Sequence, residues 1–371
     1  MKITRLETLP VHVPLRKGMM TKTAHGEHVL SKYVLLRVHT DEGLVGLGEA
    51  TVDPRWTGET PESAIAVIHR LFEPVLTGRD PRNITSLRAA MDFAAKQNPF
   101  TKAAVEMALW DLASKAAGVP VCQLLGGAVR ERIAIKMVVG AFDTPRALKL
   151  AEQFLSQGFR TIKVKVGLDP AADVDRVRAV RELAGPNVPI GIDANCGWSP
   201  SVARSALRRM EPYELLFAEQ PIPPGDPSAL ARLRTATSAS IMADESVFTL
   251  ADAWLLARAY AADVLSVYPG KHGGIAGTVE IVHLAQAAGI ACCIGSNLEL
   301  GVGSAAMLHV AAAMPGIDSD RFPADIIGPL YHEHDLLRQP LELSPDGARV
   351  PTGPGLGVEL DEDQLKQCAA T

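Results

Sequence analysis

The chain has 371 residues, 47% of them hydrophobic and 21% charged, with a formal net charge of −5 and a pI near 6.1. That length supports a large core and fits two domains, or one barrel with additions. The composition is that of an ordinary globular protein. Its mild acidity, with no run of Lys and Arg, excludes the electrostatic footprint of a nucleic-acid or membrane-surface binder.

The start, Met1-Lys2-Ile3-Thr4-Arg5, alternates like a strand and lacks the apolar core of a signal peptide, and no apolar run reaches bilayer length. The cysteines are Cys122, Cys196, Cys292, Cys293 and Cys368. An odd number without C-x-x-C spacing fits reduced, buried thiols better than a disulfide frame. A cytoplasmic protein is expected.

Residues 1–125 read as an α+β unit. A strand is predicted over residues 3–13, and two more over 34–39 and 44–49 flank the hairpin signal Asp41-Glu42-Gly43. Helical periodicity follows from Thr60-Pro61 to Leu76, then over 84–95 and over 101–117, where Gly118 and Pro120 stop it. Two stretches without clear period, 16–31 and 50–59, are either surface connections or loops that carry specificity.

From about Ile133 short apolar runs alternate with helical patterns, the mark of βα units and a parallel sheet. Seven candidate strand ends lie at 137–139, 163–165, 190–193, 216–219, 241–244, 264–267 and 291–294. In the second, Lys163 and Lys165 are two apart and so share a face, opposite Ile162, Val164 and Val166. An edge strand with alternating Lys would look the same. The sequence that follows decides against it.

Lys165 to Asp193 is 28 residues, Asp193 to Glu219 is 26, Glu219 to Asp244 is 25, and Asp244 to Lys271 is 27. One strand, one helix and two loops take about that length, so each ionisable residue closes one unit. Repeated units of this kind close into a (β/α) barrel whose active site lies at the C-terminal strand ends. Each acid alone reads as a helix N-cap or a loop charge. Three at one period, each after an apolar run, read as a metal cluster. Hard oxygen donors without His or Cys select Mg²⁺, with Mn²⁺ as the alternative. Lys165, nearer the strand end than Lys163, is the better base. A metal beside ammonium groups suits removal of a proton α to a carboxylate, through an enolate.

The chain resembles the enolase superfamily, specifically its muconate lactonizing enzyme subgroup. The resemblance rests on Lys163-x-Lys165, Asp193-Ala194-Asn195, Glu219-Gln220-Pro221, Asp244-Glu245-Ser246 and Lys271-His272-Gly273-Gly274. The helix around Glu106-Met107-Ala108-Leu109-Trp110-Asp111, with Leu124-Leu125-Gly126-Gly127 after it, and the ending Gly355-Leu356-Gly357-Val358-Glu359-Leu360 are similar to the family's as well. It implies an α/β protein, a modified TIM barrel of the (β/α)7β form over residues 126–339. An N-terminal α+β capping domain, residues 1–125, is rejoined by residues 340–371. It further implies Mg²⁺ held by Asp193, Glu219 and Asp244, opposed acid/base groups Lys165 and Lys271, and Lys163 near the substrate carboxylate. Cap loops near Met19 to His25 and Asp53 to Thr57, with Met19 and Trp56 as their contact residues, would close over the substrate. The likeness also implies a homo-oligomer, from dimer to octamer, although no sequence feature sets its size.

Cycloisomerisation, racemisation or epimerisation, and dehydration of acids all run on such a site. Asp325, in Phe322-Pro323-Ala324-Asp325-Ile326-Ile327-Gly328-Pro329, resembles the muconate enzymes' acid-x-x-Gly-Pro, where Glu is usual. Dipeptide epimerases carry Asp-x-Asp at this strand end, and Asp318-Ser319-Asp320 comes too early for it. Arg16, Lys17, Lys22 and Arg55 are candidates for a second substrate carboxylate, or are solvated loop charges. Ser296, Asn297, Glu299 and Asn195 are expected in the pocket wall. A muconate-type cycloisomerase acting on a small carboxylate is the first expectation. The alternative is a racemase or epimerase of an N-substituted amino acid, or an acid dehydratase. A Rossmann oxidoreductase is excluded because Gly46-x-Gly48 and Gly301-x-Gly303 lack the third Gly. A zinc barrel is disfavoured because His12, His25, His28, His39 and His69 all lie in the first unit. A non-catalytic barrel would gain nothing from clustering these lysines and acids.

Overall fold

Strand β1 (Ile3–Pro14) pairs antiparallel with β2 (Leu30–Thr40), which pairs antiparallel with β3 (Val45–Ala50). In this computed structural model, which describes residues 1–370, the hairpin turns at Asp41-Glu42-Gly43 as the sequence predicts, with Gly43 at φ +83°. The connection from β1 to β2 carries a small hairpin of its own, Thr21–Thr23 against Gly26–His28.

Helix α1 (Pro61–Val67) begins at Thr60, whose side chain accepts from the Ser63 N–H while Pro61 occupies the first turn. The single helix predicted to Leu76 is interrupted by a π turn, Ile68–Phe72, before a last turn at Glu73–Leu76. Pro74 has no N–H to continue the regular ladder, which accounts for the break. Next come α2 (Ile84–Ala94) and α3 (Pro99–Ala117). Helix α3 is buried over most of its circumference. A Cβ on Gly48 would stand 1.8 Å from the Ala104 carbonyl oxygen, and one on Gly46 2.3 Å from that of Ala108. Gly46-x-Gly48 is therefore the seat that lets the helix backbone rest directly on β3.

Seven parallel strands follow, each hydrogen-bonded to the next in chain order. They are β4 (Met137–Val139), β5 (Ile162–Lys165), β6 (Ile190–Asp193), β7 (Phe217–Glu219), β8 (Ser240–Ala243), β9 (Val264–Val267) and β10 (Ala291–Ile294). All seven lie where the apolar runs predict them. The eighth stave is irregular. Ile317 bridges Cys292 and Ala324 bridges Ile135, while the Asp325 N–H donates to the Ile294 carbonyl at 2.9 Å. That segment joins β10 back to the start of β4 and closes the barrel. The result is a (β/α)7β barrel with a separate N-terminal α+β region.

Outer helices alternate with the strands, and several open alike. Asp143, Asp169, Ser199 and Asp226 each accept a first-turn N–H, with Pro in that turn. The chain end runs back to its beginning. Gly347–Arg349 pairs with Arg132–Ile133, Gly355 bridges Pro120, and the Ala370 N–H donates to the Pro10 carbonyl at 3.0 Å.

Two buried carboxylates from the N-terminal region fasten it to the barrel. Glu106 on α3 accepts the N–H groups of Ile275 (2.6 Å) and Ala276 (2.9 Å), opening the helix Ile275–Ala287. Glu49 on β3 accepts those of Leu300 (2.6 Å) and Gly303 (2.7 Å), at the head of Gly301–Ala313. Helix N-termini favour anions there. Burial still outweighs those bonds for Glu49, raising its pKa to about 8. No helix among the described residues is long and apolar enough to cross a membrane.

Candidate active site

Parallel register places the charged residues side by side. Lys165 is the Cα partner of Asp193, and Asp193 of Glu219, across β5, β6 and β7. Asp244 lies one residue past β8 and Lys271 four past β9. Beyond the strand ends the backbone turns sharply, with Asn195, Cys196 and Gln220 at φ +41°, +66° and +34°. Left-handed backbone at non-glycine residues is uncommon and clusters at functional sites. Gln220 repays its strain by organising the next loop. Its side-chain oxygen accepts the Asp244 and Ser246 N–H groups, and its amide nitrogen donates to the Ile222 carbonyl and the Ser246 hydroxyl.

Every acid in the cluster has an ammonium partner. Lys163 Nζ donates to Glu219 Oε2 at 2.9 Å and Asp325 Oδ2 at 2.5 Å, and lies 3.6 Å from Asp193 Oδ2. Lys165 Nζ donates to Asp193 Oδ2 at 2.5 Å and Asn195 Oδ1 at 2.9 Å. Lys271 donates to the Asp244 carboxylate and to the carbonyls of Asp244 (2.9 Å) and Ser266 (2.8 Å), beneath the ring of Tyr268. Both flanking lysines thus point toward the acid cluster.

The compensation is incomplete. Burial pushes Glu219 up to about 7; Lys163 opposes this, while Asp193, Asp244 and Asp325 add to it. Burial likewise takes Asp244 to about 6 against Lys271. Asp193 is also penalised by burial, but Lys165 and Lys163 together hold it below the usual carboxylate range. Asp193, Glu219 and Asp244, with Asp193 raising the other two, are a buried oxygen-only donor set of the chemistry that suits a hard divalent cation. Among the described residues no group of three or more His, Cys, Asp or Glu side chains is arranged to hold a metal ion, and each of the three carboxylates is paired with a lysine instead.

A cavity of about 210 Å³ opens over this cluster. Lys163, Lys165, Asn195, Ser296, Asn297 and Asp325 form its barrel side, and Trp56 belongs to its cap side. Glu299 is buried behind the wall, accepting the Ser296 hydroxyl at 2.5 Å and the Asn297 N–H at 3.1 Å, and burial raises it to about 7. Met19 is half-buried and outside the wall; Thr21, Thr23 and His25–His28 represent its loop instead. Of the candidate cap cations only Arg55 reaches the cavity. Arg16 donates to the His332 carbonyl, and Lys22 lies 3.7 Å from Glu27. Asp320 faces a different crevice, with Thr161 and Pro189 at the strand starts, which accounts for the early position of Asp318-Ser319-Asp320. Lys271 borders a crevice on the other side of Trp56.

Three participants are given no role by the sequence argument, although Glu245 stands in the Asp244-Glu245-Ser246 motif and His25 ends the predicted cap loop. His25 reaches 3.0 Å to Glu245 Oε1, which also accepts from Asn195 Nδ2 at 3.1 Å, and the His25 ring lies 5.7 Å from that of Trp56. This ties the cap loop to the barrel, and the Glu245 hydrogen bond raises the pKa of His25. Neither residue carries a spacing signal. Lys136, fully buried, stands 3.2 Å from Asp325 Oδ1. It does carry a signal, a lone lysine in the apolar run Ile135–Val139, of the kind that marks Lys163.

Comparison with known proteins gives the same picture. Residues 5–126 match the mandelate racemase / muconate lactonizing enzyme N-terminal domain, and residues 146–364 match the enolase C-terminal domain-like family. A chloromuconate cycloisomerase of Cupriavidus necator is 35% identical over 99% of this chain and 98% of its own length. The N-succinyl-L-Arg/Lys racemase of Bacillus cereus is 32% identical over 99% of this chain and 98% of its own. A dipeptide epimerase from Cytophaga hutchinsonii, solved in complex with Mg and the dipeptide D-Ala-L-Val, superposes with a TM-score of 0.94 at 32% identity, covering 99% of this chain and 98% of that one. With both halves matched and the barrel's charged strand ends in place, the chain belongs to the enolase superfamily, in its muconate lactonizing enzyme subgroup, and is an isomerase.

Proposed function

We propose that the protein is a muconate-type cycloisomerase that works through the enolate of a small carboxylate, with Lys165 as the proton-transferring group. The observation that carries this reading is an asymmetry between the two flanking lysines. Lys165 lines the cavity and has two partners, so one of its three N–H directions is free for substrate. Lys271 makes three hydrogen bonds, to Asp244 twice and to Ser266, and lies outside the cavity wall. Ring closure needs proton transfer at one face only. Racemisation needs two.

In lactone formation, an oxygen of one substrate carboxylate adds to the β-carbon of the double bond conjugated with the other carboxylate. The displaced electron pair moves onto that second carboxylate as an enolate, and Lys165 delivers one proton to the α-carbon. Lys163, at the cavity floor, holds the carboxylate that gains charge. Asp193, Glu219 and Asp244 would hold Mg²⁺, with Mn²⁺ as the alternative, which supplies further stabilisation of the enolate's negative charge. Trp56 and the loop held by His25 exclude water above. Asp325 is already engaged by Lys163 and Lys136, so it is not free to receive a substrate ammonium, which weighs against a dipeptide.

The test is product analysis by proton NMR in D₂O, with Mg²⁺ and cis,cis-muconate, chloromuconates, N-succinyl amino acids and dipeptides. One deuterium placed on a single face of the lactone α-carbon is expected. Exchange of the α-hydrogen in both enantiomers of an N-succinyl amino acid, with no muconate consumed, would establish the racemase alternative instead.

A further inference from the structure

Lys136 immediately precedes β4 and has no accessible surface. A buried lysine is strongly disfavoured unless its charge is matched. Its Nζ donates to the Pro323 carbonyl at 2.5 Å, contacts Cys293 Sγ at 3.4 Å, and stands 5.6 Å from the centre of the Phe217 ring. Among the described residues its only carboxylate partner is Asp325, where Nζ lies 3.2 Å from Oδ1. That approach has the distance of an ion pair without the angle of a hydrogen bond, and Oδ1 has no other partner. The second oxygen, Oδ2, accepts from Lys163 at 2.5 Å. Asp325 therefore divides its two oxygens between two ammonium groups, one beneath the cavity and one in its floor. Burial opposes ionisation of Asp325, but Lys136 and Lys163 more than offset it.

We propose that Lys136 is a positioning residue for substrate binding: by holding one oxygen of Asp325 it limits that carboxylate to a single contact with Lys163, and so keeps the Lys163 ammonium at the cavity floor with charge left for a substrate carboxylate. This rests on the reading of the cavity as a carboxylate site. Lys136, Asp325 and Lys163 together carry one net positive charge. Without Lys136 the sum is zero. Asp325, buried and half-satisfied, then turns both oxygens onto Lys163, the only other cation bonded to it. An anionic substrate loses its partner, while the proton transfer at Lys165 is left in place.

The experiment is a double-variant cycle on the Mg²⁺-loaded full-length protein with cis,cis-muconate as the probe, joined to crystal structures of the variants. Lys136→Met is expected to raise KM about tenfold and leave kcat within about threefold. Lys136→Met/Asp325→Asn, which restores the net charge of the trio, is expected to recover most of that KM, a rescue that a mere packing role would not produce. In the Lys136→Met crystal structure both Asp325 oxygens should face Lys163. An unchanged KM in Lys136→Met, or a double variant no better than the single one, overturns the proposal. If the wild type consumes no muconate, the cycloisomerase reading fails separately. The crystallographic comparison still decides the role of Lys136, and an unmoved Asp325 and Lys163 would refute it. Should Lys136→Met not fold, Lys136→Gln, which keeps a donor for the Pro323 carbonyl, is read in the same way.

Discussion

Lys165 Nζ and Asp193 Oδ2 are 2.5 Å apart, so the lysine best placed to move a proton is hydrogen-bonded to an acid of the candidate metal cluster. The candidate base and the candidate metal ligands are one network. Lys165→Met, which keeps the length and removes the amine, should lower kcat by about 10²- to 10⁴-fold, the usual contribution of a positioned acid or base. Mg²⁺-dependent stabilisation should survive the change. Single-turnover rates in D₂O read the first effect, and a kcat within a few-fold of wild type would remove Lys165 from the proton path.

The cluster itself makes a prediction about metal. Mg²⁺ at about 100 times its Kd should stabilise the fold by about 2.7 kcal/mol. Glu219→Gln should lose most of that gain, because Glu219 lies between Asp193 and Asp244 in the strand order. Calorimetric Tm values with Mg²⁺ and with chelator test this. An equal Mg²⁺ shift in wild type and Glu219→Gln would contradict the assignment.

Gly48 should not tolerate a methyl group. Its added Cβ would sit 1.8 Å from a backbone carbonyl oxygen of α3, which cannot swing away as a side chain would. Gly48→Ala should cost about 1–3 kcal/mol or more, as overpacking of a close contact does. Gly225→Ala, where nothing lies within 4 Å of the added atom, serves as the neutral control. Urea unfolding of the two variants should separate them clearly.

Acid stability should depend on His309. Its Nε2 lies 3.1 Å from the Leu356 carbonyl and its Nδ1 faces the Cys122 N–H at 3.4 Å, an arrangement that suits the neutral ring. Burial lowers its pKa to about 4. The unfolded chain has the ordinary value of about 6.5 and takes up the proton first. The contribution is therefore complete above pH 6.5 and is lost as pH falls through 4, on the order of 3 kcal/mol in all. His309→Gln should flatten the fall of Tm between those two pH values, even if it lowers Tm throughout. An identical pH slope in the variant would show that His309 takes up no extra proton on unfolding.

Much of the architecture was legible in residue order. Apolar runs of strand length, each ended by a charged residue at nearly constant spacing, fix the barrel and the order of Lys163, Lys165, Asp193, Glu219, Asp244 and Lys271 along its rim. That pattern is local and periodic, so it needs no knowledge of distant contacts. Gly46-x-Gly48 shows the opposite case. Its spacing was read only as a failed nucleotide motif, because its actual partner, the Ala104 and Ala108 turn of α3, is about sixty residues away.

The sequence by itself determined that Lys163, Lys165, Asp193 and Glu219 stand at neighbouring strand ends, since strand periodicity and parallel register dictate their side and their neighbours. Tertiary structure alone decided how their charges are shared. Lys136 and Asp325 are 189 residues apart in the chain, yet their side chains meet because the irregular eighth stave closes against the first strand. His25 and Glu245 meet only because the cap loop folds over the rim. Such pairings depend on barrel closure and domain docking, and neither leaves a period in the sequence.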